Sequence, residues 1–329
     1  MRKRSWTAVA MVAAAAAMAV TLSSAGCRTL PNLFLNVFGL EKPVNVALVT
    51  ENALDTLALM TPYDGLMQAL GKEIGRPVLL EPVFAFQAGP NLCDGLRHLA
   101  LAPPALYVQL QGRDLMPVLA APGLSEAQVA RPAVLVVKSD SPVKAVTDLR
   151  GQRLAFGPRT DSRTYNAALT LLVDSGFSPT DIAGDIPLLQ DIFWRHVASV
   201  RARTQLVLDG TVKGAFLDQA DWEALPERDE RANEPCRSKL RVVGQTLAIP
   251  DLLVCASPKL GDDLRVRVQN YLLQVGTQNP DVVKPMHCAG FWKVSPEVVD
   301  NCRRLVIDEG QTSGPQPTAT SAPASGTTP

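Results

Sequence analysis

The sequence lacks the residue patterns that mark most enzyme active sites. It contains no G-x-S-x-G, H-E-x-x-H or G-x-G-x-x-G motif and no phosphate-binding lysine loop. Its three histidines, His98, His196 and His287, stand apart from any patterned carboxylate or nucleophile. No cysteine spacing is C-x-x-C, so zinc and haem sites are not expected either. We therefore predict neither an enzyme nor a bound metal or cofactor.

The sequence also lacks an excess of charge of either sign. The 32 basic side chains equal the 32 acidic ones in number. Loss of residues 1–26, which hold three basic and no acidic side chains, would leave a net charge of −3. Because nucleic acids and anionic lipids are bound through a basic excess or a basic stripe, a nucleic-acid partner is not expected. Recognition of a charged ligand must therefore be local.

The N-terminus has the layout of a bacterial secretion signal. Basic residues at positions 2–4 precede an uncharged, mostly apolar stretch over residues 5–26. The stretch ends in Ser-Ala-Gly-Cys, which resembles the lipobox of bacterial lipoproteins, so we expect residues 1–26 to be removed and Cys27 to be lipidated. A cleaved signal without lipid and an uncleaved anchor are the alternatives, since about 20 apolar residues can cross a bilayer. Every alternative places the protein outside the inner membrane, and lipidation would tether it there on the periplasmic side.

Two further features concern the cysteines and the C-terminus. With Cys27 lipidated, the simplest disulfides in an oxidising envelope join Cys236 to Cys255 and Cys288 to Cys302. Residues 310–329 contain no charged or aromatic side chain. They cannot bury enough apolar surface to offset the entropy of ordering, so this tail is predicted to be disordered.

From Val44 onward, short apolar runs alternate with longer amphipathic stretches. The pattern predicts strands over 44–50, 77–84, 133–138, 153–156, 214–217, 240–243 and 252–256, and helices over 63–74, 164–175, 201–208 and 263–275. Alternation of this kind is typical of an α/β fold with mainly parallel sheets.

A more specific resemblance lies within residues 143–218. Asp148-Leu149-Arg150-Gly151, followed by the strand 154–156, is similar to the start of the second lobe of periplasmic solute-binding proteins. A helix, a Gly-Phe-Ser-Pro turn, the segment Val207–Gly210 and a strand over 213–218 then follow in an order that resembles the phosphate, phosphite and phosphonate-binding receptors of ABC transporters. The outline extends more weakly over residues 44–307.

The resemblance implies the two-lobed, type 2 periplasmic-binding-protein fold, an α/β fold with a sheet in each lobe and a central cleft. The implied organisation is a tether at 27–42, lobe 1 at 43–130, lobe 2 at 131–256 with a chain crossing at each end, and C-terminal helices at 257–308 that pack back on the lobes. Ligands of open α/β sheets bind outside the carboxyl ends of the strands, so the cleft is the expected site.

The resemblance also places a helix start in the cleft. The family's Ser-Thr-Ser-Gly run corresponds here to Asp161-Ser162-Arg163-Thr164, with Thr160 before it. The unpaired N–H groups of a first helical turn favour an anion. Hydroxyl bonds from Ser162 and Thr164, and a bidentate grip from Arg163 or Arg159, would strengthen its binding. A carboxylate at Asp161 opposes an anion, however, and the alternative is that Thr160, Asp161 and Ser162 only cap the helix.

Three more candidate ligand-binding residues come from the same resemblance. Tyr107 keeps a family position, where it either closes over the ligand or is buried. Arg201 follows the altered position of a family histidine, and Lys213 replaces an aspartate that pairs with the ligand amine in aminophosphonate receptors. Because a cation repels an ammonium group, aminoethylphosphonate is not an expected ligand. Arg201 and Lys213 face either an acidic ligand or solvent.

These observations support two functional hypotheses. The first is a monomeric receptor that captures a small, anionic solute, phosphonate-like, phosphate-like or carboxylate, and presents it to an ABC permease in the inner membrane. The second keeps the fold without transport, as a lipid-anchored sensor or scaffold for a protein partner. The altered residues of the implied site favour the second hypothesis, and the preserved outline favours the first.

Overall fold

The computed structural model describes residues 42–51, 56–110, 116–181, 192–228 and 235–307. The predicted signal at 1–26, the lipidation site Cys27 and the predicted tail at 310–329 lie outside the described residues.

The described part of the chain alternates strands and helices as the sequence predicts. The strands are β1 Val44–Thr50, β2 Val78–Phe84, β3 Leu99–Ala102, β4 Val118–Gly123, β5 Ala133–Lys138, β6 Gln152–Phe156, β7 Pro179–Asp181, β8 Ile192–His196, β9 Gly214–Asp218, β10 Leu240–Gln245, β11 Leu253–Ala256 and β12 Gly290–Trp292. The α-helices are α1 Thr56–Met60, α2 Asp64–Ile74, α3 Ala85–Cys93, α4 Pro104–Leu110, α5 Ala167–Asp174, α6 Val200–Leu208, α7 Gln219–Ala224, α8 Asp262–Gln278, α9 Pro280–Val283 and α10 Pro296–Arg303.

The strands form two six-stranded sheets, which define two lobes. The first sheet has the order β12-β4-β11-β3-β1-β2, and the second has the order β10-β5-β9-β6-β8-β7. The two-sheet α/β fold confirms the prediction. Both sheets are mixed. In the first sheet β11 and β12 run antiparallel to their neighbours. In the second sheet β5 runs antiparallel to β9 and β10, whereas β9, β6, β8 and β7 are parallel to one another.

The chain passes between the sheets twice. It leaves the first sheet after β4 and returns through β11, and an antiparallel bridge between Arg131 and Ile249 joins the two crossings. The returning strand β11 pairs with β3 and β4 of the first sheet, although the predicted range of lobe 2, 131–256, includes it. The C-terminal region adds strand β12 to the first sheet as well as helices.

Apolar side chains cover both faces of each sheet. Along β1, Val46 and Leu48 belong to one core cluster, whereas Ala47 and Val49 belong to another on the opposite face. This alternation is the period-two signature that makes the strand recognisable in the sequence. Two further clusters cover the second sheet, one around Phe156 and Trp194 and one around Val136 and Ala215.

The predicted disulfides are wrong, because all five cysteines in the described part of the chain are free thiols. Cys236 precedes β10 in the second lobe, whereas Cys255 lies in β11 of the first sheet. Cys288 and Cys302 lie in the separate clusters on opposite faces of the first sheet. Nearness in sequence therefore gave the wrong pairs, because the two cysteines of each predicted pair lie in different parts of the fold.

Candidate functional site

A cavity of about 350 Å³ lies between the two lobes. The first lobe contributes the carboxyl end of β1 and the residues that follow β1 and β3, together with part of helix α1 and the loop before β11. The second lobe contributes Arg159, Thr160 and Ser162, which follow β6. The described residues of the lining are Leu48, Val49, Thr50, Glu51, Leu59, Tyr63, Pro103, Ala105, Leu106, Arg159, Thr160, Ser162 and Leu252. Binding sites of open α/β sheets are expected at this edge of the strands.

The loop after β6 is folded tightly against the helical turn that follows it. The Gly157 N–H donates to the carbonyl of Thr164 at 3.3 Å. A Cβ atom at Gly157 would come within 1.8 Å of the Thr164 hydroxyl oxygen, so a side chain does not fit at this position. Glycine therefore permits the close approach that turns residues 158–163 toward the first lobe.

Asp161 caps the helical turn Ser162–Asn166, which continues into α5. Its carboxylate accepts hydrogen bonds from the backbone N–H groups of Arg163 at 3.0 Å and Thr164 at 3.3 Å, and from the Thr164 hydroxyl at 2.5 Å. The groups that the resemblance offers to an anion are therefore bonded to a carboxylate of the protein itself. Thr164 is fully buried and does not line the cavity.

Arg163 points away from the cavity, toward the two chain crossings. Its side chain is only 4% exposed and forms ion pairs with Asp218 and Asp251. Arg131 lies 3.9 Å from each of these carboxylates. Burial, followed by the charge of Arg131, lowers the pKa of the Arg163 guanidinium to about 10. The four side chains form an ionic cluster at the hinge, which joins β9 to both crossings.

Ser162 lines the cavity and also connects the lobes. Its hydroxyl oxygen accepts a hydrogen bond from the backbone N–H of Ala105 at 3.2 Å. Ala105 lies in the first turn of α4, in the first lobe. Thr160 is exposed and lines the cavity beside it. Of the residues that the resemblance offers to a ligand, Arg159, Thr160 and Ser162 therefore line the cavity.

Arg159 is the basic side chain among the described residues of the cavity lining. Its Nε donates to His196 Nε2 at 2.8 Å, and His196 Nδ1 lies 2.9 Å from the carbonyl oxygen of Gly157. A carbonyl only accepts, so Nδ1 carries the proton and Nε2 is the acceptor. The guanidinium also lies over the ring of Trp194, 5.7 Å from its centroid. Arg159 is thus oriented by a histidine and an aromatic ring at the carboxyl end of β8.

Glu51 brings a negative charge to the same cavity from the first lobe. It directly follows β1, and it is the acidic residue among the part of the lining that the structure describes. Desolvation raises the pKa of its carboxyl group, and the nearby charge of Arg159 partly offsets this rise. Sequence reasoning missed Glu51, although its place just after a predicted strand was a usable signal.

The other predicted ligand-binding residues lie elsewhere. Tyr107 is fully buried, and its hydroxyl donates to the carbonyl of Met116 at 3.2 Å. Arg201 is exposed on α6. Lys213 precedes β9 at the amino end of that strand, and its backbone N–H donates to the carbonyl of Arg153 at 2.7 Å. None of these three residues lines the cavity, so the charge of Lys213 does not decide which ligand fits there.

The described residues contain neither a membrane-spanning helix nor a cluster of metal ligands. No helix in this part of the chain is long and apolar enough to span a bilayer. The described residues also contain no cluster of three or more His, Cys, Asp or Glu side chains suited to a metal ion.

Comparison with known proteins gives one family match that covers most of the chain. Residues 54–299 match the sequence model of a family described as "ABC transporter, phosphonate, periplasmic substrate-binding protein". A curated Escherichia coli (strain K12) protein, provisionally named as aliphatic sulfonates-binding, is 32% identical over 103 residues. That match spans 30% of this chain and 30% of the relative.

The fold is also found among solved structures. XAC2383 from Xanthomonas citri, solved with bound chloride and with bound ATP, matches with a TM-score of 0.60 at 17% and 16% identity respectively. Each match covers 80% of this chain and 98% of XAC2383. PhnD1 from Prochlorococcus marinus (MIT 9301), solved with methylphosphonate, matches with a TM-score of 0.48 at 16% identity, over 79% of this chain and 95% of PhnD1. At these identities the likeness to XAC2383 concerns the fold alone.

Proposed function

The chain belongs to the family of periplasmic substrate-binding proteins of phosphonate ABC transporters, and we propose that it binds a small solute with an acidic group in the cavity between its lobes. It is a binding protein rather than an enzyme. The proposed partner is an ABC permease of the inner membrane, to which the protein delivers its solute as a monomer. We further propose that Cys27 carries a lipid that holds the protein at the membrane on its periplasmic side.

The position of Arg159 is the observation that carries the proposal. It lies in the cavity wall at the carboxyl ends of β6 and β8, supported by His196. A guanidinium offers several N–H donors in a planar fork that matches a carboxylate, phosphonate or sulfonate. The hydroxyl groups of Thr160 and Ser162 lie in the same wall and supply neutral hydrogen bonds. These three side chains take the anion-binding role that the resemblance gives to the helix start, because the N–H groups there already donate to the carboxylate of Asp161.

Capture follows from the position of the cavity between the lobes. A solute in the cavity contacts residues after β1 and β3 on one side and residues after β6 on the other. Both sets of contacts form together only when the lobes are closed, so binding shifts the population toward the closed form by its differential affinity. The permease would then distinguish the closed, loaded protein from the open one.

The proposal is tested by thermal unfolding of the purified protein with phosphate, phosphite, methylphosphonate, ethanesulfonate, succinate and uracil. We expect one or more acidic compounds to raise the unfolding temperature at micromolar concentration, and uracil to leave it unchanged. Replacement Arg159→Gln should weaken the best compound more than tenfold in a calorimetric titration. The matched control Arg201→Gln, on an exposed helix face, should bind as the natural protein does. Equal affinity of all three proteins would remove Arg159 from the site.

A second candidate function is a sensor or scaffold without transport. One observation favours it, namely that Asp161 and Arg163, which correspond to ligand-binding positions of the family, are bonded within the protein. Absence of stabilisation by every compound, together with capture of a protein partner by the anchored form, would support this alternative.

A further inference from the structure

The imidazole ring of His196 joins two segments of the second lobe beside the cavity. His196 ends β8 and pairs with Phe156, which ends β6. Its Nδ1 donates to the carbonyl of Gly157 at 2.9 Å, and its Nε2 accepts from Nε of Arg159 at 2.8 Å. Both contacts require a neutral ring that carries its one proton on Nδ1.

Aromatic rings hold the imidazole and the guanidinium in this arrangement. The ring centroid of Trp194 lies 4.5 Å from that of His196, edge to face, and the centroid of Tyr165 lies 5.0 Å from it. The guanidinium carbon of Arg159 lies 5.7 Å from the Trp194 centroid. His196 is only partly buried, so its ring can exchange protons with water. The orientation of the ring is therefore fixed, while its protonation can follow the pH.

A second proton on the ring would break the contact with Arg159. Nε2 would then carry an N–H and could no longer accept a hydrogen bond. Two N–H donors and two positive charges would face each other across this contact, and they repel. The guanidinium would have to leave its position in the cavity wall. His196 is not among the described residues of the cavity lining, so its charge would not take the place of Arg159 against the solute.

Other titratable and charged side chains surround this pair on the neighbouring elements. They are Tyr165 on the helical turn, Arg195 on β8, Arg203 on α6, Asp161 in the loop after β6, and Glu51 in the first lobe. Of these, Glu51 lines the cavity itself. Burial raises the pKa of Glu51, and the charge of Arg159 offsets part of this rise. Proton uptake by Glu51 would remove a negative charge from the cavity and strengthen anion binding as the pH falls, so the two effects have opposite signs and must be measured separately.

We propose that His196 is a positioning residue that holds Arg159 for the solute only while its ring is neutral, so that the protein binds its solute at neutral pH and releases it as the pH falls. This inference rests on the proposed function and adds a regulation to the same cavity. Because the neutral imidazole predominates at the higher pH, affinity is lost on acidification.

The test compares the natural protein with His196→Gln in calorimetric titrations at pH 8 and pH 5. The ligand is the compound of the earlier panel that binds best. A glutamine amide oxygen can accept from Arg159 at both pH values, so His196→Gln should bind within threefold of the natural protein at pH 8. From pH 8 to pH 5 the natural protein should lose at least fivefold more affinity than His196→Gln. The ligand and Glu51 titrate in both proteins, so this ratio isolates the contribution of His196.

Two further variants sharpen the test. His196→Leu has no acceptor for Arg159 and should bind at least fivefold more weakly than the natural protein at pH 8. The matched control His287→Asn changes a histidine outside the cavity, at a φ of 54° that asparagine tolerates, and should keep the natural pH profile. Unfolding temperatures at both pH values show that each variant is folded.

The possible failures are distinguishable. An equal loss of affinity in the natural protein and His196→Gln, or a smaller loss in the natural protein, overturns the inference and leaves the receptor function intact. Natural affinity of His196→Leu at pH 8 would remove His196 as a positioning residue and also overturn it. If no compound of the panel binds the natural protein at either pH, the receptor function itself fails.

Discussion

The side chains of one short loop, residues 159–164, form two sets with different roles. Arg159, Thr160 and Ser162 line the cavity, whereas Asp161, Arg163 and Thr164 are bonded inside the protein. The two sets are interleaved in the sequence, because the backbone turns as it passes from β6 into the helix. Positions that the resemblance offers to an anion are bonded instead within a carboxylate cap and a hinge ion cluster. Resemblance therefore locates the loop, but each side chain must be assigned from its own contacts.

This division separates binding from stability. Substitutions in the cavity-facing set should change the affinity for the solute with little effect on the free energy of unfolding, because Arg159 and Thr160 lie at the cavity surface. Substitutions in the buried set should mainly lower the free energy of unfolding, because the partners of these side chains are protein groups. The following experiments test this separation.

The largest effect is expected at the hinge. Replacement Arg163→Met leaves the carboxylates of Asp218 and Asp251 without their main partner. Breaking a buried ion pair from one side costs roughly 3–5 kcal/mol. We expect about 2 kcal/mol here, because the Asp251 side chain is 66% exposed and Arg131 remains 3.9 Å from both carboxylates. Urea unfolding should show this loss of free energy, and the control Arg201→Met should change it by less than about 0.5 kcal/mol. Equal stability of the two variants would contradict the assignment of Arg163 to the hinge cluster.

A smaller effect is expected at the cap. Replacement Asp161→Ala removes the acceptor for two backbone N–H groups and should lower the free energy of unfolding by about 1 kcal/mol. Asp161→Ser keeps a capping oxygen and should lose only part of this stability. Because the carboxylate is absent in Asp161→Ser, the helix start should also attract inorganic phosphate more strongly than in the natural protein. Phosphate titrations of both proteins would reveal this, and equal phosphate affinity would show that the carboxylate does not exclude anions.

Much of the fold could be predicted from the sequence, because its signals are local. The strand β1 has the predicted bounds, and α2 ends at the predicted Ile74, where Gly75 caps it with a φ of 69° in the left-handed region that favours glycine. The sites were harder to predict, because their partners are distant in the chain. Asp218 is 55 positions from Arg163, and no local pattern connects them. Glu51 enters the site only because β1 and β6 end on the same cavity.

Cysteine alkylation tests the location of the solute most directly. Thr160→Cys places a thiol in the cavity wall, and Lys213→Cys places one outside it. The compound that most raises the unfolding temperature should slow alkylation at position 160 at least fivefold and leave the rate at position 213 unchanged. Equal alkylation rates at position 160 with and without saturating compound would contradict binding between the lobes.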